Sequence, residues 1–302
     1  MAHAADAPYR PAMTNAGLRP CHPVEVLDEY GKPQQTHIAG ERPLTVYVDK
    51  REIVTLMTLG THPELLTIGY LRNQGLVQRL NQLRSVQVDW ETDSVAVTTV
   101  DGVDRLDERL SRRTVTTGCG QGTVFGDMLD HLSEVELTPQ PIHQSSIYEL
   151  LKRLSDYNEV YRQAGAVHGC ALCRTGTEAG TGGDIEIFVE DVGRHNAVDA
   201  IAAHMWLEGI DGRDKVFYTT GRLTSEMAIK VAQMGVPVLL SRSGVTRMGL
   251  DIAQMVGLTM VARAKGRHFL VFNGAEHVVL DAPPAERPRP ESAAQTRKAR
   301  LA

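Results

Sequence analysis

Residues Asp184–Gly209 read DIEIFVEDVGRHNAVDAIAAHMWLEG. The opening DIEIFVEDV is dense in β-branched and aromatic side chains and predicts a strand. From Asn196 to Glu208 the spacing becomes helical, with Val198, Ile201, Ala202 and Met205 on one face and Gly209 as the stop. The same unit recurs downstream. KVFYTT precedes a helix from Thr224 to Met234 stopped by Gly235, and VPVLLS precedes one from Thr246 to Val256 stopped by Gly257. LTMVAR and HFLVF close the pattern. Strands alternating with helices of about 10–15 residues predict βαβ crossovers, hence an α/β fold on a largely parallel sheet.

Upstream, Ala166–Cys173 (AVHGCALC) reads as a further buried strand. A helix is expected before it, opened by Ser146-Ile147-Tyr148-Glu149 with S-x-x-E capping-box spacing and striped by Leu150, Leu151, Leu154 and Tyr157. Residues 112–128 (RRTVTTGCGQGTVFGDM) form a glycine-rich connector. Between Arg42 and Val100, LTVYVD, EIVTLMTL and SVAVTTV alternate at period two. One helix interrupts them, opened at His62-Pro63-Glu64 and closed by Gly75. The expected organisation is a disordered arm over 1–35, a small α+β module over 36–112, an α/β domain over 113–280 and a disordered tail over 281–302.

Composition narrows the function classes. The chain has 302 residues, 42% of them hydrophobic and 23% charged, which suits a globule with a sizeable core. A net charge of -5 argues against a general nucleic-acid binder. No apolar run approaches the roughly 20 residues that span a bilayer, and the N-terminus has no apolar h-region. The four cysteines are therefore expected to be reduced thiols in the cytoplasm.

In an open α/β sheet, ligands sit beyond the carboxyl ends of the strands. Three strand-to-helix junctions share one chemistry there: Asp191-Val192-Gly193-Arg194-His195-Asn196, Thr219-Thr220-Gly221-Arg222-Leu223-Thr224-Ser225 and Ser241-Arg242-Ser243-Gly244-Val245-Thr246-Arg247. Each joins a glycine, an arginine and a hydroxyl or amide to a helix N-terminus, where unpaired N–H groups attract anions. Arginine adds a fork that matches phosphate oxygens. A phosphate- or pyrophosphate-bearing ligand follows. Ala262-Arg263-Ala264-Lys265-Gly266-Arg267 adds a fourth basic segment, which alone would read as a charged hairpin. With no G-x-x-x-x-G-K-[ST] and no G-x-G-x-x-G after a first strand, P-loop and Rossmann sites find no support.

Cys119 sits between glycines in Gly118-Cys119-Gly120-Gln121-Gly122, downstream of Arg112 and Arg113. Exposure and nearby cations are what a reactive thiol needs. Cys170 and Cys173 could join His168 as zinc ligands, with Cys119 as a fourth, or form a redox pair. Spacing of three along a strand instead places the two thiols on opposite faces, which favours inert core cysteines and no metal site. A zinc deaminase would need H-x-E and P-C-x-x-C, and both are missing.

EDVGRHNAVD (Glu190 to Asp199), YTTGRLTSEM (Tyr218 to Met227), GVPVLLSRSGVT (Gly235 to Thr246) and GLTMVARAKGR (Gly257 to Arg267) resemble the FdhD family of formate dehydrogenase accessory proteins. The resemblance spans about Glu41 to Phe272. It implies a cytidine-deaminase-like three-layer core without catalytic zinc, working as a cytoplasmic homodimer. It also implies binding of the bis-guanine-dinucleotide molybdenum cofactor (Mo-bis(molybdopterin guanine dinucleotide)), with GDP-like ligands able to occupy the site. Its implied partners are a cysteine desulfurase, which loads sulfur as a persulfide, and the apo-formate dehydrogenase that receives the cofactor.

Residue by residue, Cys119 matches the family's persulfide-bearing cysteine, and Ala262, Arg263, Ala264, Lys265, Gly266 and Arg267 match its cofactor-binding segment. Gly193, Arg194, His195, Gly221 and Arg222 match the other motif loops. One position departs: the family loop usually reads C-x-x-C, and here Gly122 stands at the second cysteine. The expectation is a sulfur carrier using Cys119 alone, with a non-enzymatic cofactor chaperone as the alternative.

Overall fold

The structure, a computed structural model, describes residues 9–103, 132, 135–174 and 183–285. The chain begins with β1 (Ala12–Met13), β2 (Cys21–Leu27), β3 (Pro33–Ala39), β4 (Arg42–Val48) and β5 (Arg51–Thr58). Helix α1 (Pro63–Asn73) follows, then β6 (Leu83–Asp89) and β7 (Ser94–Thr99). After β8 (Ile142–His143) come α2 (Gln144–Tyr157), α3 (Glu159–Ala164), β9 (His168–Arg174) and β10 (Ile185–Asp191). The remainder alternates: α4 (Arg194–Glu208), β11 (Lys215–Thr219), α5 (Ser225–Gln233), β12 (Val238–Ser241) and α6 (Arg247–Val256). It closes with β13 (Thr259–Lys265), β14 (His268–Asn273) and β15 (Val278–Val279). This is a mixed α/β protein.

The N-terminal five-stranded sheet has the order β1-β6-β7-β4-β5. Period-two apolar residues Val46, Val48, Val86, Val95 and Val97 cover one of its faces, and Leu66, Ile68 and Leu71 of α1 pack into the same core. Each such buried aliphatic is worth about 1.5–3 kcal/mol. Proline at the first turn opens α1, and Gly75, at φ +68°, lets the chain leave it.

The second sheet has the order β10-β9-β11-β12-β13-β14. It corrects the expectation of a largely parallel sheet. Strands β11, β12 and β13 pair in parallel, but β9 lies antiparallel between β10 and β11, and β14 runs against β13. Four strands point one way and two the other, so β10 to β13 still bring their carboxyl ends to one rim. The amino end of β9 lies at that same rim, where His168 pairs with Asp191.

Apolar side chains leave both faces of this sheet. On one, Leu172, Phe217 and Leu239 pack against Ala197, Ile201, Ile229 and Ile252 of α4, α5 and α6. On the other, Ala171, Tyr218 and Leu240 pack against Ile147, Leu150 and Leu154 of α2. Helix, sheet and helix make three layers. Helix α4 also joins the two cores, giving Ala203 and Leu207 to the N-terminal one. At its crossing with α1, a Cβ on Gly69 would overlap the Asp199 carbonyl, so the two backbones touch.

The arm expected over 1–35 is partly ordered: β2 and β3 form an antiparallel hairpin in register from Cys21↔Ala39 to Leu27↔Pro33. The Asp28 carboxylate shapes its turn, accepting from Tyr30 N at 2.9 Å and Lys32 N at 2.8 Å. Pro23 and Pro33 are tolerated because a two-stranded ribbon leaves N–H positions without a ladder partner. Residues 1–8 lie outside the described residues. The tail is likewise ordered at its start, where Asp281 accepts from Ser145 N at 2.9 Å and Ser145 Oγ at 2.6 Å and so caps α2. Residues 286–302 lie outside the described residues.

Candidate functional site

Two adjoining cavities open at the rim. The larger, about 650 Å³, lies between α2 and the β13–β14 turn, and Tyr148, Lys152, Tyr218, Arg242, Lys265 and Arg267 are among its walls. The smaller, about 480 Å³, is lined by His168, Thr220, Arg242, Ser243 and Lys265, with Asn158 and Tyr161 beside them. Asn158, Arg242 and Lys265 belong to both, so two cations stand where the chambers meet.

Local sequence explains each position. Lys265 pairs with His268 across a two-residue turn, and Gly266 supplies the positive φ (+58°) that such a turn needs at its first position. Arg267 then projects over the Tyr148 ring, its guanidinium carbon 5.3 Å from the centroid. Arg263 has φ +52° at a register shift in β13, and its N–H donates to the Ser243 carbonyl at 2.8 Å. That bulge changes the side-chain alternation: Ala262 faces the α4–α6 core, whereas Ala264 returns to the α2 face and the larger cavity. Tyr218, the last but one residue of β11, shares the cavity wall with Arg242, and burial, opposed by the Arg242 charge, pushes its phenol up to about 12.

Of the expected cofactor residues, Ala264, Lys265, Gly266 and Arg267 line the larger cavity. Ala262 is buried on the opposite face, and Arg263 is exposed outside both chambers. Gly193, Arg194 and His195 lie beneath the rim instead, with Arg194 and His195 buried. Gly221 is where the Arg194 side chain crosses, and a Cβ there would overlap its Cδ. His195 Nδ1 is 3.2 Å from Glu226 Oε2. Burial is the main cause of its low pKa, aided by Lys230, Arg194, His168 and Arg222, so the ring is neutral near neutrality. Arg222 is exposed and lines neither chamber, yet its charge and that of Arg194 reach His168. Burial first, then those two arginines, hold the His168 ring below its ordinary pKa.

The motif EDVGRHN is thus largely a scaffold. Glu190 accepts from Val160 N at 2.8 Å and Tyr161 N at 2.9 Å, holding the first turn of α3. Asp191 accepts from Thr58 Oγ1 at 2.6 Å and Asn196 Nδ2 at 2.8 Å, tying the rim to the end of β5. Asp199 accepts from Asn73 Nδ2 at 2.6 Å and pairs with Lys230 at 2.9 Å, both fully buried, and Lys230 reaches Glu226 at 3.2 Å.

Cys119 lies outside the described residues, as do Arg112 and Arg113. Cys170 and Cys173 pack into cores on opposite faces of the sheet, so they cannot converge with His168 on one zinc ion. Burial pushes each thiol up to about 12. Sequence reading missed the α2 contribution. Ser145, Tyr148, Glu149, Lys152 and Ser155 recur at helical spacing opposite Leu150 and Leu154, and they form one wall of the larger cavity. That polar stripe was the available signal. The expected capping box is not formed, because α2 begins at Gln144 and its cap comes from Asp281.

Fold and site together define an α/β protein with a cationic, two-chambered cleft at the carboxyl ends of its central strands. The sequence matches the FdhD/NarQ family over residues 39–279, and the chain belongs to that family. It is 29% identical over 247 residues to the sulfur carrier protein FdhD of Shouchella clausii, covering 80% of this chain and 90% of that one. With the sulfur carrier protein FdhD of Bacillus pumilus it shares 27% over 260 residues, covering 84% and 96%. A crystal structure described as a formate dehydrogenase accessory protein from Desulfotalea psychrophila superposes with a TM-score of 0.64 at 26% identity, covering 86% of this chain and 98% of that one.

Proposed function

We propose that this protein is a sulfur carrier that serves formate dehydrogenase. In this reading the rim cleft holds the bis-guanine-dinucleotide molybdenum cofactor as cargo, with Arg242 and Lys265 at the waist and Arg267 at the turn against its phosphates. The cleft itself carries the proposal. Four cations, Lys152, Arg242, Lys265 and Arg267, meet in one cavity of about 650 Å³ that also offers tyrosine walls.

The sulfur step falls to Cys119. Cys170 and Cys173 are fully buried thiols held in the protonated form. Cys21 is a half-buried ribbon residue whose thiol burial also pushes up. Glycines flank Cys119 on both sides. Its thiolate attacks the terminal sulfur of a desulfurase persulfide, a new S–S bond forms, and the desulfurase thiolate departs. The protein works as a cytoplasmic homodimer on a cytidine-deaminase-like core, between the desulfurase and apo-formate dehydrogenase.

Incubation with a cysteine desulfurase and cysteine, followed by mass spectrometry, should add one sulfur atom to the wild type and none to Cys119→Ser. No added sulfur on the wild type overturns the carrier role. Gly122, in place of a second cysteine, favours one other reading, a chaperone that only binds and delivers the cofactor. Under it, Cys119→Ser still restores formate dehydrogenase in cells lacking the accessory factor, whereas Arg267→Ala does not.

A further inference from the structure

Among the described residues, Glu149 is the one carboxylate in the wall of the larger cavity. It is half-buried on α2, and its carboxylate makes no hydrogen bond or ion pair with another described residue. Its helix starts too early for it to cap the N-terminus, so it has no structural task there. Facing Lys152, Arg242, Lys265 and Arg267, a lone negative charge weakens the hold of the chamber on phosphate. A carboxylate accepts hydrogen bonds and gives none, so what offsets that cost is a ligand presenting N–H donors.

The surroundings specify the donors further. Tyr148, Leu151 and Tyr218 give the chamber flat apolar wall, which suits a heterocycle. Phosphates belong at the waist, at Arg242 and Lys265, which leaves the ring for the part of the chamber along α2. The two oxygens of a carboxylate match the adjacent N1–H and 2-amino donors of guanine. Adenine offers a ring-nitrogen lone pair there, and the carboxylate repels it.

We propose that Glu149 is the base-selecting residue of the cleft, accepting from the guanine edge of a nucleoside diphosphate group whose phosphates sit at Arg242 and Lys265. This rests on reading the cleft as a nucleotide-cofactor site. Calorimetric titration of the full chain with GDP, IDP and ADP tests it. The wild type should bind GDP about tenfold or more tighter than ADP, with IDP, which lacks the 2-amino group, in between. Glu149→Ala should bring GDP and ADP within about twofold of each other, with ADP binding unchanged or tighter once the repelling charge is gone. Arg242→Ala should weaken both nucleotides by a similar factor and keep their ratio.

A preference for GDP that survives Glu149→Ala overturns the inference and leaves the cleft standing. A wild type without preference does the same. If neither nucleotide binds the wild type, the cleft reading falls and takes the inference with it. Thermal melts of both variants that match the wild type show that the changes act on binding.

Discussion

Cys170 and Cys173 are separated by three positions on one strand, and that odd spacing sends them to different cores. Burial raises both thiols from 9.0 to about 12, so at neutral pH each holds about a thousandfold less thiolate than an ordinary cysteine. Iodoacetamide at pH 7.5 should therefore leave both unmodified in the native protein and label both once guanidinium chloride unfolds it. Peptide mapping reads the result, and native labelling of either at the unfolded rate contradicts the burial. Their fate was legible because strand alternation needs no tertiary information. Arg263 was not: a positive φ at a non-glycine residue has no sequence signature, and the bulge it makes decides that Ala264 rather than Ala262 lines the cavity.

At the scale of elements, the crossing of α1 and α4 is the tightest joint between the two cores. Gly69 is buried there against the Asp199 carbonyl, and backbone cannot yield as a flexible side chain does. Gly69→Ala should destabilise the protein by about 3 kcal/mol, through overpacking that forces the helices apart. Urea unfolding measures this, and a midpoint equal to the wild type's would mean the helices separate freely. Strands and helices from Asp184 onward were readable because each carries a clean period and a glycine stop. Pairing was not readable. Strand β9 precedes β10 in the chain yet inserts between β10 and β11, and only long-range contacts with both neighbours specify that. The cleft was half legible for the same reason. The basic turn at Lys265 to Arg267 stands out locally, whereas the α2 wall is a polar helix face until the sheet is placed against it.

For the molecule as a whole, burial of histidines predicts how stability depends on pH. His168 and His195 both have pKa values lowered from 6.5, and burial is the largest cause for each. For His195 the nearby Lys230, Arg194, His168 and Arg222 add to burial, and together they outweigh Glu226, which Lys230 shares. Below 6.5 the unfolded chain takes up protons that these folded rings refuse. Stability is then complete above that pH and drains as pH falls beneath it, by up to about 1.4 kcal/mol per pH unit for each ring. The buried carboxyls of Asp191 and Asp199, raised from 3.8 by desolvation, act in the opposite sense from the acid side. The hydrogen bonds of Thr58 and Asn196 oppose that rise at Asp191, and Lys230 opposes it at Asp199. Urea midpoints at pH 7.5, 6.5 and 5.5 should therefore decline through the last interval. His195→Asn removes one of the refusing groups, so its stability should fall less steeply between pH 6.5 and 5.5, by up to about one proton's worth of slope. Equal slopes in variant and wild type would mean that the His195 ring accepts a proton inside the fold, and the cationic rim above it would then be weaker than its residues indicate.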